Sequence, residues 1–314
     1  MNVKNSSIIK YYITITLSMA FWGLSFIWFK IAVEQYEPFT IIFFRLILSS
    51  LFLFLYIKLS HNTEKIDRKD YKWFLLLALA EPFCYFLGES FGLKYVSSTV
   101  SSTIIATIPL ATPMVAYALL REKVGKFTIT GIIISFSGIV YMLLNRDFSL
   151  NADPKGVALL FVAVFSAVAY SFFIKKLANR YKATTILLGQ NVIGAIWFFP
   201  LFMIFDFKSV LTIVPTAATI LAILQLAFFA SSIAYVLFIV FVANMGMIKA
   251  NIFTNMIPVF TAVFAYIILG EVITLQKVIG ILLVIGGIVI SQVPGINQMY
   301  FRNRQKMSNN RKIH

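Results

Sequence analysis

Between Ser209 and Ile248 the chain runs for forty residues without a single charged side chain. As one helix that stretch would measure about 60 Å, twice the ~30 Å hydrocarbon core of a bilayer. Two full helices and a turn barely fit, so it reads as one span beginning after Pro215, with Ser209 to Pro215 lying at the interface. Similar runs recur at 11–30, 38–57, 73–93, 98–120, 127–144, 156–174, 184–205, 250–269 and 276–293, and with 218–242 they make ten. In hydrocarbon a backbone N–H or C=O has no water to bond, so each span must satisfy itself as a helix. The expected fold is therefore an all-α polytopic membrane protein with ten transmembrane helices. A charged fraction of 12% against 60% hydrophobic residues fits this solvent, since soluble domains carry about twice that charge.

The formal charge of +15 would point to a polyanion in a soluble protein. Here the basic residues stand between the apolar runs and in the last stretch of chain, as orientation and headgroup contact require, and no nucleic-acid partner is expected. Alternate connections divide Lys and Arg 20 to 6, with Arg45 inside a span. That bias predicts an even number of spans with both termini in the cytoplasm, in a cell (inner) membrane. The stretch from Tyr11 to Phe29 lacks a small-residue cleavage pattern and reads as a retained first helix. A single cysteine, Cys84, and two histidines, His61 and His314, leave no metal site and no cofactor to expect.

The chain repeats itself. Shifted by 149 residues, Pro109 to Val140 falls on Pro258 to Val289 without a gap, with identities including Pro109/Pro258, Thr112/Thr261, Tyr117/Tyr266, Glu122/Glu271, Gly131/Gly280 and Gly138/Gly287. Apolar composition alone would align Ile and Val, but not a proline, a glutamate and two glycines. Five spans per copy predicts two inverted five-helix repeats, over 1–145 and 155–293, followed by a basic tail at 294–314. The turn around Glu122 holds Arg121, Lys123 and Lys126, while its copy around Glu271 keeps only Lys277, as expected if one lies inside and the other outside. Inverted repeats present equivalent structures to the two faces of a bilayer, an arrangement common in secondary transporters.

The segment from Pro109 through Glu122 to Val140, its copy from Pro258 through Glu271 to Val289, Phe21-Trp22-Gly23 and Arg45 together resemble the drug/metabolite transporter superfamily, in its EamA-type branch. The resemblance implies a ten-helix carrier with a central cavity and no ATPase domain, often an exporter of amino acids or other small metabolites. The front ends of the halves depart from the pattern: the Phe-Trp-Gly of the first is replaced by Ala169-Tyr170-Ser171 in the second. No Walker-type loop is present, so ATP is not a direct energy source.

Intramembrane carboxylates call for an explanation, because each costs roughly 2.5–3.5 kcal/mol on insertion scales unless paired or wetted. Glu81 and Glu89 lie on a broad common face of the third span, about 80° apart, and are the proton-coupling candidates. The alternative is that Glu89 pairs with Arg45 or Lys94 and that Glu81 sits shallow among headgroups. Arg45 lies about 10 Å into the second helix, placed to snorkel, to pair with a carboxylate, or to meet an anionic part of a solute. Trp22, Arg45, Tyr85, Glu89, Gln190, Asn191, Tyr235 and Asn244 are the substrate-path candidates, though amides often serve as interhelical bonds and aromatics as packing. Glu122 and Glu271 are expected to bond the free N–H groups of the helix that follows each. Gly131, Gly138, Gly280 and Gly287, like Gly88 with Gly92, would let helices approach closely, and Pro109 and Pro258 would bend theirs. The expected function is secondary transport of a small molecule, more an exporter than an importer. A lipid-modifying enzyme would cluster Asp, His, Ser or Cys at one depth, and a sensor or assembly subunit would move no solute. The partners are the solute, the lipid bilayer and protons, in a monomer or homodimer.

Overall fold

A computed structural model describes residues 3–61, 63–111, 125–144, 152–178, 180–245, 250 and 253–291. All regular structure among them is helical. Six helices are long and apolar enough to cross a membrane: α1 (Val3–Val33), α2 (Pro38–Leu59), α3 (Arg68–Tyr95), α6 (Pro154–Ala178), α7 (Ala183–Thr212) and α8 (Ala217–Met245). Four shorter apolar helices, α4 (Ser98–Ala111), α5 (Lys126–Leu143), α9 (Ile257–Leu269) and α10 (Leu275–Ser291), stand where the remaining spans were expected. The chain is thus an all-α polytopic membrane protein, with six full-length spans among the described residues rather than ten. Helix α7 continues to Thr212, so only Ile213 to Pro215 of the supposed interfacial stretch lies outside a helix. Glu122 lies outside the described residues.

Local chemistry sets the helix ends. Pro38 opens α2 at a position that needs no N–H. The Ser97 and Thr216 side chains cap α4 and α8 by accepting the Val100 and Thr219 N–H groups. Gly270 ends α9 at φ +66°, a left-handed conformation that costs glycine little.

Small residues set which helices touch. A Cβ on Gly88 would lie 2.5 Å from the Leu159 carbonyl oxygen, and one on Gly92 3.0 Å from that of Gly156, so the Gly-x-x-x-Gly spacing brings α3 against α6. The repeated glycines join α5 to α10. Gly131 faces the Gly287 carbonyl at 2.3 Å from where its Cβ would be, and Gly138 faces that of Gly280 at 2.9 Å. The helices therefore cross antiparallel, and the 149-residue shift exchanges one glycine pair for the other. Between them Ser135 donates to the Val284 carbonyl at 2.9 Å, and these two residues are themselves 149 apart.

The prolines act in matching places. In α4 the helix loosens at Ala106-Thr107, where the Thr107 N–H bonds Ile104 O at 3.0 Å. Ahead of α9 the same turn occurs at Asn255-Met256, with the Met256 N–H on Phe253 O at 2.9 Å. Each break precedes a proline by two residues. Pro109 and Pro258 bring no N–H to the carbonyl four residues back, so a continuous α-helix loses a bond there. Helices α3 and α8 are loosened in another way, by π-helical turns at Leu79–Cys84 and Leu226–Ala234.

Polar contacts tie the connections together at both ends of the bundle. At one end Arg180, just after α6, bonds Asp70 at 2.6 Å and Asp67 at 3.3 Å, and the Tyr181 hydroxyl donates to Asp70 at 2.6 Å. At the other end Lys94 pairs with Glu37 at 2.5 Å, and Asp206 accepts both the N–H and the hydroxyl of Thr40. Glu271 departs from expectation. Its carboxylate does not take the free N–H groups at the start of α10, where it meets only the Lys277 side chain at 3.7 Å; it crosses to α4 and accepts the Ser98 N–H at 2.9 Å and the Thr99 hydroxyl at 3.0 Å.

Candidate functional site

The broken and loosened helices enclose one cavity. Its walls are Trp22, Ser25 and Phe26 of α1, Arg45 of α2, Glu81, Tyr85, Phe86 and Glu89 of α3, and Ile105, Ile108 and Pro109 of α4. The far side is closed by Ala167, Tyr170, Ser171 and Ile174 of α6, Tyr235 and Phe238 of α8, and Thr254 and Ile257 at the α9 break. Its volume is about 90 Å³, room for about three waters at ~30 Å³ each. Both proline breaks flank it, so a swing at either would change its width.

Each charged group in the wall is held by neutral partners. The Arg45 Nε–H donates to the Ser231 hydroxyl, and the guanidinium carbon lies 4.1 Å from the centroid of the Phe86 ring, a cation–π contact. Tyr85 donates to Glu89 at 2.9 Å, and Tyr235 donates to Glu81. Neither carboxylate lies within 4.0 Å of a cationic nitrogen among the described residues. Glu89 therefore pairs with neither Arg45 nor Lys94, because Lys94 is turned outward to Glu37. Glu81 is not shallow: it is 4% exposed and faces the cavity.

Of the substrate-path candidates, Trp22, Arg45, Tyr85, Glu89 and Tyr235 line this cavity, and so does Glu81, singled out with Glu89 for proton coupling. Trp22 meets Tyr235 edge to face at 5.1 Å. Gln190 and Asn191 stand one layer behind, each 2% exposed. Gln190 accepts from Tyr170 at 3.2 Å, and Asn191 donates to the Ser49 hydroxyl at 2.9 Å. Asn244 belongs elsewhere. It is bonded to Tyr11 and to the Val240 carbonyl near the end of α8, about 13 Å along the helix axis from Tyr235.

What sequence reasoning missed is the serine support behind Arg45. Ser49 lies 2.8 Å from the Ser232 hydroxyl and 3.1 Å from the Ser231 carbonyl, so Asn191, Ser49, Ser231 and Arg45 form one chain of hydrogen bonds across α7, α2 and α8. The signal was present as adjacent serines, Ser49-Ser50 and Ser231-Ser232, inside apolar spans, where a hydroxyl seeks a partner in a neighbouring helix.

Comparison with known proteins gives the family. The model of the EamA-like transporter family matches residues 9–144 and again 154–292. An uncharacterized transporter of Archaeoglobus fulgidus is 25% identical over 90% of this chain and 97% of its own length. The uncharacterized transporter YetK of Bacillus subtilis is 26% identical over 90% of this chain and 86% of its own. A protein crystal structure superimposes with a TM-score of 0.63 at 14% identity, covering 90% of this chain and 98% of that one; at that identity the likeness speaks for the fold. With its two matched segments, the chain belongs to the EamA-like transporter family and is a multi-pass membrane transporter of small molecules rather than an enzyme.

Proposed function

We propose that this transporter exports amino acids or related small metabolites by exposing its central cavity to the two faces of the membrane in turn. The observation that carries the reading is the cavity itself, with one buried arginine and two buried glutamates set between helices broken at equivalent positions. A carboxylate that meets an amine and a guanidinium that meets a carboxylate suit a zwitterionic solute. Glu81 and Glu89 load the proton that couples transport to a pH gradient, and Arg45, Tyr85, Trp22 and Tyr235 receive the solute. The reading takes the ten helices as two inverted five-helix repeats, 1–145 and 155–293, each contributing one proline-broken helix to the cavity wall. Support comes from the α5–α10 crossing, where the repeat shift exchanges the two glycine pairs. Both termini and the tail at 294–314 face the cytoplasm, following the Lys and Arg bias. A single chain lines the cavity, so a monomer suffices.

The test is flux of a pooled metabolite set in proteoliposomes, with and without a pH gradient. Net movement of an amino-acid-like solute, accelerated by the gradient in wild type and not in Glu89→Gln at equal folded protein, is the expected result. Gradient-driven flux unchanged in the variant removes the coupling role, and absence of any amino-acid-like solute among those moved removes the substrate class.

A further inference from the structure

Gly88 and Gly92 close α3 on α6 at one end of their seam. Toward the other end the seam opens into a groove of about 470 Å³, bounded by Leu76, Leu79 and Cys84 of α3 and by Val162, Phe165 and Phe173 of α6. Leu76, Leu79, Val162 and Phe165 are exposed, so the groove faces outward, away from the central cavity. Chain neighbours divide between the two: Ala80 lines the groove and Glu81 the cavity, and Ala169 and Tyr170 part in the same way. Along the helix axes residues 76 to 84 rise about 12 Å and residues 162 to 173 about 16 Å, close to the ~15 Å of hydrocarbon in one leaflet.

Any apolar groove in a bilayer is covered by lipid; the charge at the end of this one sets it apart. Trp73, one turn before Leu76, meets Phe173 at the rim, with ring centroids 6.3 Å apart. Two ammonium groups stand over its indole, Lys176 at 3.4 Å from the centroid and Lys72 at 5.3 Å. Both lysines are exposed, one at the start of α3 and the other in the last turn of α6. Neither lies within 4.0 Å of a carboxylate among the described residues. The acids that precede Lys72 in the chain are engaged, Asp67 with Lys69 and Arg180, and Asp70 with Arg180 and Tyr181. Two like charges at one ring repel, and an anion between them replaces that repulsion with two attractions.

We infer that the α3–α6 seam is a binding site for an anionic phospholipid, with its phosphate between Lys72 and Lys176 at Trp73 and one acyl chain in the groove from Leu76 to Cys84. Basic pockets between membrane helices take anionic headgroups, and Trp belongs at headgroup level. Free phosphate would satisfy the lysines and leave the groove empty, while a neutral lipid would fill the groove and leave the lysines uncompensated. An anionic lipid does both. The groove backs onto the π-helical turn that carries Glu81, so the bound chain lies behind the loosened part of α3 without entering the cavity. The site is independent of which solute the cavity takes.

The experiment titrates the full chain, purified in a neutral detergent, with phosphatidylglycerol, with phosphatidylcholine of the same acyl chains, and with glycerol 3-phosphate as a headgroup without chains. Binding is read from lipid retained in native mass spectra and from the rise in thermal midpoint that a ligand of the folded state produces. Phosphatidylglycerol is expected to bind roughly tenfold more tightly than phosphatidylcholine, with the preference shrinking at high salt, and glycerol 3-phosphate to leave the midpoint unchanged. Lys72→Gln and Lys176→Gln should each weaken phosphatidylglycerol by about fivefold, and together they should abolish its preference. Lys58→Gln with Lys65→Gln removes the same charge from exposed lysines elsewhere and should keep the preference. Ala169→Phe puts a ring into the groove from an exposed position. It should weaken both lipids by about tenfold, the equivalent of two methylenes left unburied. Val192→Phe, exposed on α7, should weaken neither, and midpoints without lipid confirm that each variant folds. Four outcomes overturn the inference: equal affinity for the two lipids, a midpoint rise with glycerol 3-phosphate as large as with lipid, equal loss of preference in the two lysine pairs, or wild-type binding by Ala169→Phe.

Discussion

Glu271, at the end of α9, accepts the backbone N–H of Ser98 at the start of α4 at 2.9 Å, joining segments 173 residues apart. The first N–H groups of a helix have no partner within it, and a carboxylate there also meets the positive end of the helix dipole. The second oxygen takes the Thr99 hydroxyl at 3.0 Å, and Lys277 stands 3.7 Å away. The joined helices are the two whose proline breaks flank the cavity, so the bond ties α4 to the segment that ends α9.

Glu271→Ala should cost about 1 kcal/mol, the usual loss for a helix cap, and lower the thermal midpoint of detergent-purified protein. Glu271→Gln keeps an acceptor for Ser98 and should lose less. Glu34 is exposed near the end of α1, and Glu34→Ala serves as the reference expected to leave the midpoint unchanged. Equal midpoints for all three variants would show that the cap contributes nothing.

The glycines at the α5–α10 crossing should be intolerant in proportion to their distances. An added Cβ at Gly131 would lie 2.3 Å from the Gly287 carbonyl oxygen, a backbone atom that cannot turn aside. Gly131→Ala should therefore destabilise by about 1–3 kcal/mol, as overpacking does. Gly286 sits beside Gly287 on α10, yet a Cβ added there would meet nothing within 4 Å. Gly286→Ala should accordingly be neutral or stabilising, since alanine is the better helix former. Thermal unfolding of the two variants side by side decides it, and a loss for Gly286→Ala as large as for Gly131→Ala would contradict the crossing.

How far the sequence disclosed this depended on distance along the chain. Helix positions were legible because a span is a local matter of length and apolarity, and Gly88 with Gly92 disclosed a close contact because their spacing matches one helix face. The partner of Glu271 was not legible: the nearest helix start along the chain is that of α10, whereas the folded chain offers a nearer one from another segment. Glu81 is a similar case. Its position in the span suggests a shallow depth, while its environment is set by Tyr235, 154 residues away. Asn244 looks like a path residue because an amide in an apolar run demands a partner, and Tyr11 supplies one away from the cavity.

Arg45 offers a test of solute contact that does not depend on proton coupling. Lysine keeps the charge but lacks the planar fork and its Nε, so Arg45→Lys loses the Ser231 bond and the fit over the Phe86 ring. If Arg45 meets a solute carboxylate, flux of a carboxylate-bearing solute should fall by about tenfold or more relative to that of one lacking it, the equivalent of the ~1.5 kcal/mol carried by a hydrogen bond to a charged group. Equal losses for the two solutes would assign Arg45 a structural role only.

Arg180 and Tyr181 share one acceptor residue, and that sharing fixes how their substitutions should combine. Asp70 is 3% exposed, with one oxygen bonded by Arg180 at 2.6 Å and the other by Tyr181 at 2.6 Å. Donation to Asp70 also holds the Tyr181 proton, pushing its hydroxyl above the usual phenol range. Arg180 itself is partly open to solvent, which moderates the ion pair. Arg180→Ala should therefore cost about 1–2 kcal/mol and Tyr181→Phe about 1 kcal/mol. Either change alone leaves a buried carboxylate with one partner, and both together leave it with none, so the double variant should lose more than the sum of the two. Thermal unfolding of the four proteins of this cycle at low and at high salt measures the coupling. Strict additivity at low salt would mean that Asp70 is solvated and that the clamp between the α2–α3 and α6–α7 connections does not hold them.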